Sequence, residues 1–118
     1  MNAATQNAGE TLPFPYTGEP ALREPVTEAL RRVLDPEVAL SIVDLGLVYG
    51  VDIQDGLAHV RVTMTSAGCP LSDLIFDAIE TELGQVLPSG HAVEIELCWD
   101  PPWTPDRMSS LARHRLGW

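Results

Sequence analysis

Apolar side chains recur along this chain in two rhythms. Val26, Ala29, Leu30, Val33 and Leu34 keep the i, i+3, i+4, i+7, i+8 spacing of one helical face, with Arg23, Glu28, Arg31 and Arg32 on the other side. The pattern predicts a helix starting near Glu24-Pro25, where a missing proline N–H is harmless, and stopping at Asp35-Pro36, because the residue before proline is pushed out of helical geometry. The rhythm then changes to two. Leu47, Tyr49, Val51 and Ile53 alternate with Val48, Gly50 and Asp52; Ala58, Val60, Val62 and Met64 alternate with His59, Arg61 and Thr63. Asp55-Gly56 between them is a hairpin signal, since both positions tolerate positive φ.

Helical spacing returns after Cys69-Pro70, with Leu71, Leu74, Ile75, Ala78, Ile79 and Leu83 forming a stripe that Gly84 and Pro88 close. A third strand has Val93, Ile95, Leu97 and Trp99 on one face and Glu94, Glu96, Cys98 and Asp100 on the other. Thr104 and Pro105 have the chemistry of an N-cap and first helical residue, which predicts a short last helix through Met108, Leu111 and Ala112. The order is α-β-β-α-β-α. It implies an α+β two-layer sandwich, with a mixed sheet of three strands, or four, and helices on one face. Residues 1–20 show no apolar period and are expected to be a flexible tail, the alternative being that Phe14 and Tyr16 dock; residues 21–118 are expected to form one domain. So small a sheet leaves one face and an edge open, which predicts a homodimer.

Composition narrows the chemistry. The chain has 118 residues, with 7 Arg, no Lys and 17 Asp plus Glu, a net charge of −10. Lysine Schiff-base and P-loop chemistry are excluded. The acidic balance argues against nucleic acid and anionic membrane as partners. No secretory pattern and no membrane-length apolar run is present, so a soluble cytoplasmic protein is expected, with its two cysteines reduced.

Cys69 is the most informative residue. In Thr65-Ser66-Ala67-Gly68-Cys69-Pro70 it falls between a strand end and a helix start, with Pro70 at the first helical position. Unpaired N–H groups and the helix dipole there favour a thiolate, able to ligate a soft metal or act as a nucleophile. The alternative is an inert thiol packed at a tight turn. Thr65 and Ser66 bring hydroxyls, and Gly68 permits close approach. Asp35-Pro36-Glu37 and Asp44-Leu45-Gly46-Leu47 form an acidic, glycine-bearing loop: Asp44 either caps a turn with Gly46 at positive φ, or, like Glu37, stands near Cys69 as a metal or proton partner. Cys98 approaches Cys69 only if its strand ends beside the second helix start. Trp99, Asp100, Pro101, Pro102 and Trp103 make either a packed corner or a partner-docking surface. His59, His91 and His114 have no ligand spacing and read as surface residues.

Taken in order, Asp35-Pro36-Glu37, Ile42 to Tyr49, Thr63 to Pro70 and Trp99 to Pro105 resemble the metal–sulfur cluster assembly domain family, formerly a domain of unknown function, which includes SufT-like and PaaD-like proteins. The resemblance covers about residues 22–116. It implies an iron–sulfur cluster assembly fold, a non-enzymatic role in iron–sulfur protein maturation, and one functional cysteine matching Cys69. Asp44, Leu45 and Gly46, with Thr65, Ser66, Gly68 and Pro70, would form the cluster or partner loop. Cys69 would bind iron or a cluster transiently, and apoproteins or assembly proteins would be the partners. The alternative is an adaptor, without its own metal, docking assembly machinery or an oxygenase complex through the tryptophan corner. The chain lacks the Cys-rich C-terminal extension of longer PaaD-like proteins, which favours the general maturation branch over a phenylacetate-specific one.

Overall fold

A computed structural model describes residues 14–65 and 72–117. The elements are β1 (Tyr16–Thr17), α1 (Pro20–Arg31), β2 (Val48–Gln54), β3 (Leu57–Val62), α2 (Ser72–Val86), β4 (Ala92–Leu97) and α3 (Ser110–Leu116), with a 3₁₀ turn at Pro105–Arg107. The strands form one mixed sheet in the order β1-β2-β3-β4. β2 and β3 are an antiparallel hairpin; β1 joins β2 in parallel and β4 joins β3 in parallel. The α+β sandwich expected from the sequence is therefore present, with β1 as the fourth strand.

The hairpin turn is Asp55-Gly56, at φ of 52° and 80°. That positive pair gives the turn a twist matching the strands it joins. Val26 and Leu30 of α1, and Val33 just past its end, are fully buried with Ile75, Ile79 and Leu83 of α2 and Val51, Val60 and Val62 of the sheet. Each such aliphatic side chain contributes about 1.5–3 kcal/mol by leaving water. The Arg32 guanidinium bonds Glu82 at 2.8 Å, tying the end of α1 to α2. On the opposite sheet face, half-exposed Asp52 and Arg61 lie 3.7 Å apart, and His59 and Glu96 2.9 Å apart.

The structure corrects several expectations. Residues 14–20, assigned to the tail, are part of the domain: Phe14 is buried and Tyr16–Thr17 pair with Val51 and Asp52. Residues 1–13 lie outside the described part. Helix α1 begins at Pro20, and Pro25 lies inside it. This costs little because the carbonyl left without a partner is that of Ala21, exposed in the first turn. The same helix ends at Arg31, so Leu34 leaves the stripe and is exposed. In β2 a register shift between Val48 and Gly50 sets two residues against Arg61. That bulge turns Tyr49 out of the apolar face on which strict alternation places it. Leu74, counted in the α2 stripe, is exposed, and Gly84 lies inside the helix rather than ending it. β4 stops at Leu97, leaving Trp99 beyond the strand and exposed. Finally, Thr104-Pro105 starts only the 3₁₀ turn; α3 is capped by Ser109, whose Oγ accepts the Ala112 N–H at 3.1 Å.

Candidate functional site

β3 and β4 run parallel with α2 between them, so residues 66–71 connect the end of β3 to the start of α2. Ser66, Gly68, Cys69 and Pro70 fall outside the described residues. Thr65, the last described residue before them, lines a cavity of about 210 Å³ with Asp35, Glu37, Val38, Leu45, Trp103, Met108 and Leu116. Four stretches distant in sequence therefore meet around Thr65, at the end of the described segment that follows β3.

The acidic wall is set by backbone bonds. Asp35 Oδ1 accepts the Glu37 N–H at 2.8 Å, and the Asp35 N–H donates to the Leu40 carbonyl, also at 2.8 Å. Such Asx turns are the local competitor that ends helices. The Leu45, Gly46 and Leu47 N–H groups donate back to Ser41, Val43 and Ile42 carbonyls. Gly46 has φ of +76°, as the turn reading requires. It also lies directly against the Arg107 backbone, where no Cβ fits. Asp44 is turned elsewhere: its carboxylate faces Arg31 at 3.7 Å and its carbonyl accepts the Ser109 N–H at 2.7 Å. Of the two carboxylates nominated by sequence, only Glu37 lines the cavity.

The tryptophan corner divides into two parts. Trp103 is half-buried and donates its indole N–H to the Leu45 carbonyl at 2.7 Å, closing one side of the cavity. Trp99 is 45% exposed. Between them the Pro101 carbonyl accepts the Tyr49 hydroxyl at 2.6 Å, and the Arg107 guanidinium sits 4.4 Å over the Tyr49 ring. Asp100 and Pro102 are exposed and line nothing described. Sequence reasoning missed Met108 and Leu116 as cavity residues. Their apolar character in and just before the short C-terminal helix was the available signal, but nothing local says what they cover.

Cys98 extends the β4 ladder by one step, its N–H donating to Val62 O at 2.7 Å. It therefore stands at the end of the sheet where β3 finishes. Its Sγ lies 3.9 Å from the Glu96 carbonyl, and burial, helped by the Glu96 charge, pushes its thiol pKa up. It is a protonated thiol near neutral pH. Of the histidines, His59 bonds Glu96 and His114 is exposed. Among the described residues no three His, Cys, Asp or Glu side chains stand together as a metal set, and no described helix is long and apolar enough to cross a membrane.

The chain is 47% identical over 100 residues to the Fe-S protein maturation auxiliary factor YitW of Bacillus subtilis, covering 84% of this chain and 97% of that one. It is 44% identical over 86 residues to the Fe-S protein maturation auxiliary factor SufT of Staphylococcus aureus, covering 72% and 97%. The fold matches the crystal structure of a domain of unknown function, DUF59, from Bacillus anthracis with a TM-score of 0.76 at 37% identity, over 82% of this chain and 92% of that one. Residues 23–97, from α1 to the end of β4, match the family model described as iron-sulfur cluster assembly protein, and the chain belongs to that family.

Proposed function

We propose that the protein is a maturation factor that carries iron or an iron–sulfur cluster, held transiently by the Cys69 thiolate, and passes it to apoprotein recipients. The observation carrying this reading is the convergence of Asp35, Glu37, Leu45 and Trp103 around Thr65, four residues before Cys69 in the sequence. A cysteine at the start of a helix has its thiolate favoured by unpaired N–H groups and the helix dipole, and the thiolate is the form that ligates iron. One thiolate supplies only one of the four ligands a cluster usually takes. The remaining ligands then come from a second chain or an exogenous thiol, and such a site lets go of its cargo easily. The role is delivery, with no bond of a substrate made or broken by the chain itself.

Cys69→Ser tests it. In cells lacking the wild-type protein, the variant is expected to fail to restore activity of a cluster-dependent enzyme while accumulating as folded protein. Anaerobic incubation with iron and sulfide is expected to give visible charge-transfer absorbance with wild type and not with the variant. Full restoration by Cys69→Ser refutes the thiolate carrier. The exposure of Trp99 supports a second reading, an adaptor that docks assembly proteins without metal. In that case Trp99→Ala abolishes maturation, Cys69→Ser does not, and no absorbance develops.

A further inference from the structure

Among the described residues nothing pairs with the outer edge of β4, the last strand of the sheet. The Ala92 and Cys98 N–H groups point inward, to the Gly56 and Val62 carbonyls. Backbone direction alternates along a strand, so the N–H and C=O groups of Val93, Ile95 and Leu97 point outward. Unpaired edges are templates for another strand, and proteins blunt them with lysine, proline or a bulge. β4 has neither proline nor a bulge, and its charged side chains are Glu94 and Glu96: its sequence is Ala-Val-Glu-Ile-Glu-Leu and its pairing with β3 runs without a register shift.

What it has is charge of one sign. Glu94 and Glu96 are exposed on the open face, and no Lys or Arg occurs from Pro88 to Asp106. Two copies joined antiparallel about Ile95 would set Glu94 of each against Glu96 of the other, about 4.5–5.5 Å apart, an arrangement that destabilises pairing. Residues 1–13 contain no Lys or Arg and cannot supply the complement. Glu96 already bonds His59 of β3, so a basic partner strand satisfies the backbone and complements chiefly Glu94. We propose that the outer edge of β4 docks an extended basic segment of another protein. The segment adds as a further strand, with Lys or Arg at alternate positions against Glu94 and Glu96 and apolar residues beside Leu97, itself 37% exposed. Because β3 and β4 are parallel, one end of the added strand lies beside the end of β3, where Val62 pairs with Leu97. That the segment belongs to a cluster recipient rests on the proposed maturation role; the strand addition does not.

The probe is a short acetylated, amidated peptide alternating arginine with valine, titrated into the full chain at low salt by calorimetry, with amide hydrogen exchange in parallel. Binding is expected, with slowed exchange at Val93, Ile95 and Leu97. The Glu94→Lys/Glu96→Lys variant is expected to weaken it by roughly tenfold or more, and Glu94→Gln/Glu96→Gln by a smaller factor that does not depend on charge reversal being tolerated. A version of the peptide N-methylated at alternate residues, unable to donate to the edge, is expected not to bind. Cys69→Ser is expected to bind normally, so failure of the thiolate reading leaves this result intact, and failure here leaves the maturation assay to stand. The proposal is overturned if the N-methylated peptide binds equally, if both Glu variants retain wild-type affinity, if protection appears elsewhere, or if sedimentation shows the edge occupied by a second copy.

Discussion

Replacing Gly46 with alanine probes how the cavity wall is held. At φ of +76° an alanine is in the left-handed region, which costs it about 1–2 kcal/mol. Its Cβ would also stand 2.6 Å from the Arg107 Cβ and 2.7 Å from the Arg107 carbonyl carbon. These are parts of the backbone turn at Pro105–Arg107, not the tip of a flexible chain, so relief means moving that turn, an overpacking cost of about 1–3 kcal/mol. The expected loss is about 2–5 kcal/mol, a large share of a typical 5–15 kcal/mol. Gly90 separates the two contributions. It has φ of +90° with nothing within 4 Å of a built Cβ, so Gly90→Ala incurs the backbone cost alone, about 1–2 kcal/mol. Urea unfolding followed by tryptophan fluorescence measures both, and Trp103, bonded to the Leu45 carbonyl beside Gly46, reports the wall directly. The midpoint is expected to fall in both variants, further in Gly46→Ala, with unchanged slope. Equal losses in the two variants would refute the argument that close approach to Arg107 fixes this wall.

Gly84 invites the opposite result: it lies inside α2 with open space around a built Cβ, so Gly84→Ala is expected to raise stability by about 0.5–1 kcal/mol in the same urea assay, and no gain would contradict its helical placement. Cys98 predicts an alkaline effect. Its pKa in the folded chain is raised above the ordinary 9.0, by burial first and Glu96 second. The neutral thiol is therefore the form that folding favours, and the associated stability is complete below the unfolded pKa and lost as pH rises through the folded one. In a Cys69→Ser background, iodoacetamide is expected to react with Cys98 more slowly at mildly alkaline pH than with the urea-unfolded chain; equal rates would contradict the shift.

Elements built on local periodicity were legible. The hairpin followed from Asp55-Gly56 and its flanking alternation, and the α2 core face from Ile75, Ile79 and Leu83 at helical spacing. What long-range contact decides was not. The bulge that turns Tyr49 outward has its reason in Arg61 across the hairpin and in the Pro101 and Arg107 partners far along the chain. The start of α1 was misplaced because Pro25 is a plausible first residue, and Pro20, the real one, stands in a stretch whose docking depends on β2. At the candidate site the motifs were readable, but their mutual placement was not. Asp44 and Glu37 look equivalent in sequence, and only the fold turns one toward Arg31 and the other toward the cavity.

That asymmetry bears on how cargo would be released under the proposed role. The chain holds two cysteines, whereas a cluster usually takes four cysteine ligands. Burial and Glu96 raise the Cys98 thiol pKa, so a metal taking it as a second ligand would have to displace a proton that the fold favours. Most of the coordination would then belong to other molecules, and transfer under that role would be a substitution by the recipient's own thiolates at an unsaturated site. The electrostatics act in the same direction. A cluster bearing thiolate ligands is anionic, and it would rest against a cavity edged by Asp35 and Glu37 on a chain of net charge −10. Like charge in a partly exposed cavity weakens retention without affecting the fold. A storage protein would neutralise that charge with lysine or arginine; a protein that must give its cargo away gains by leaving it unopposed.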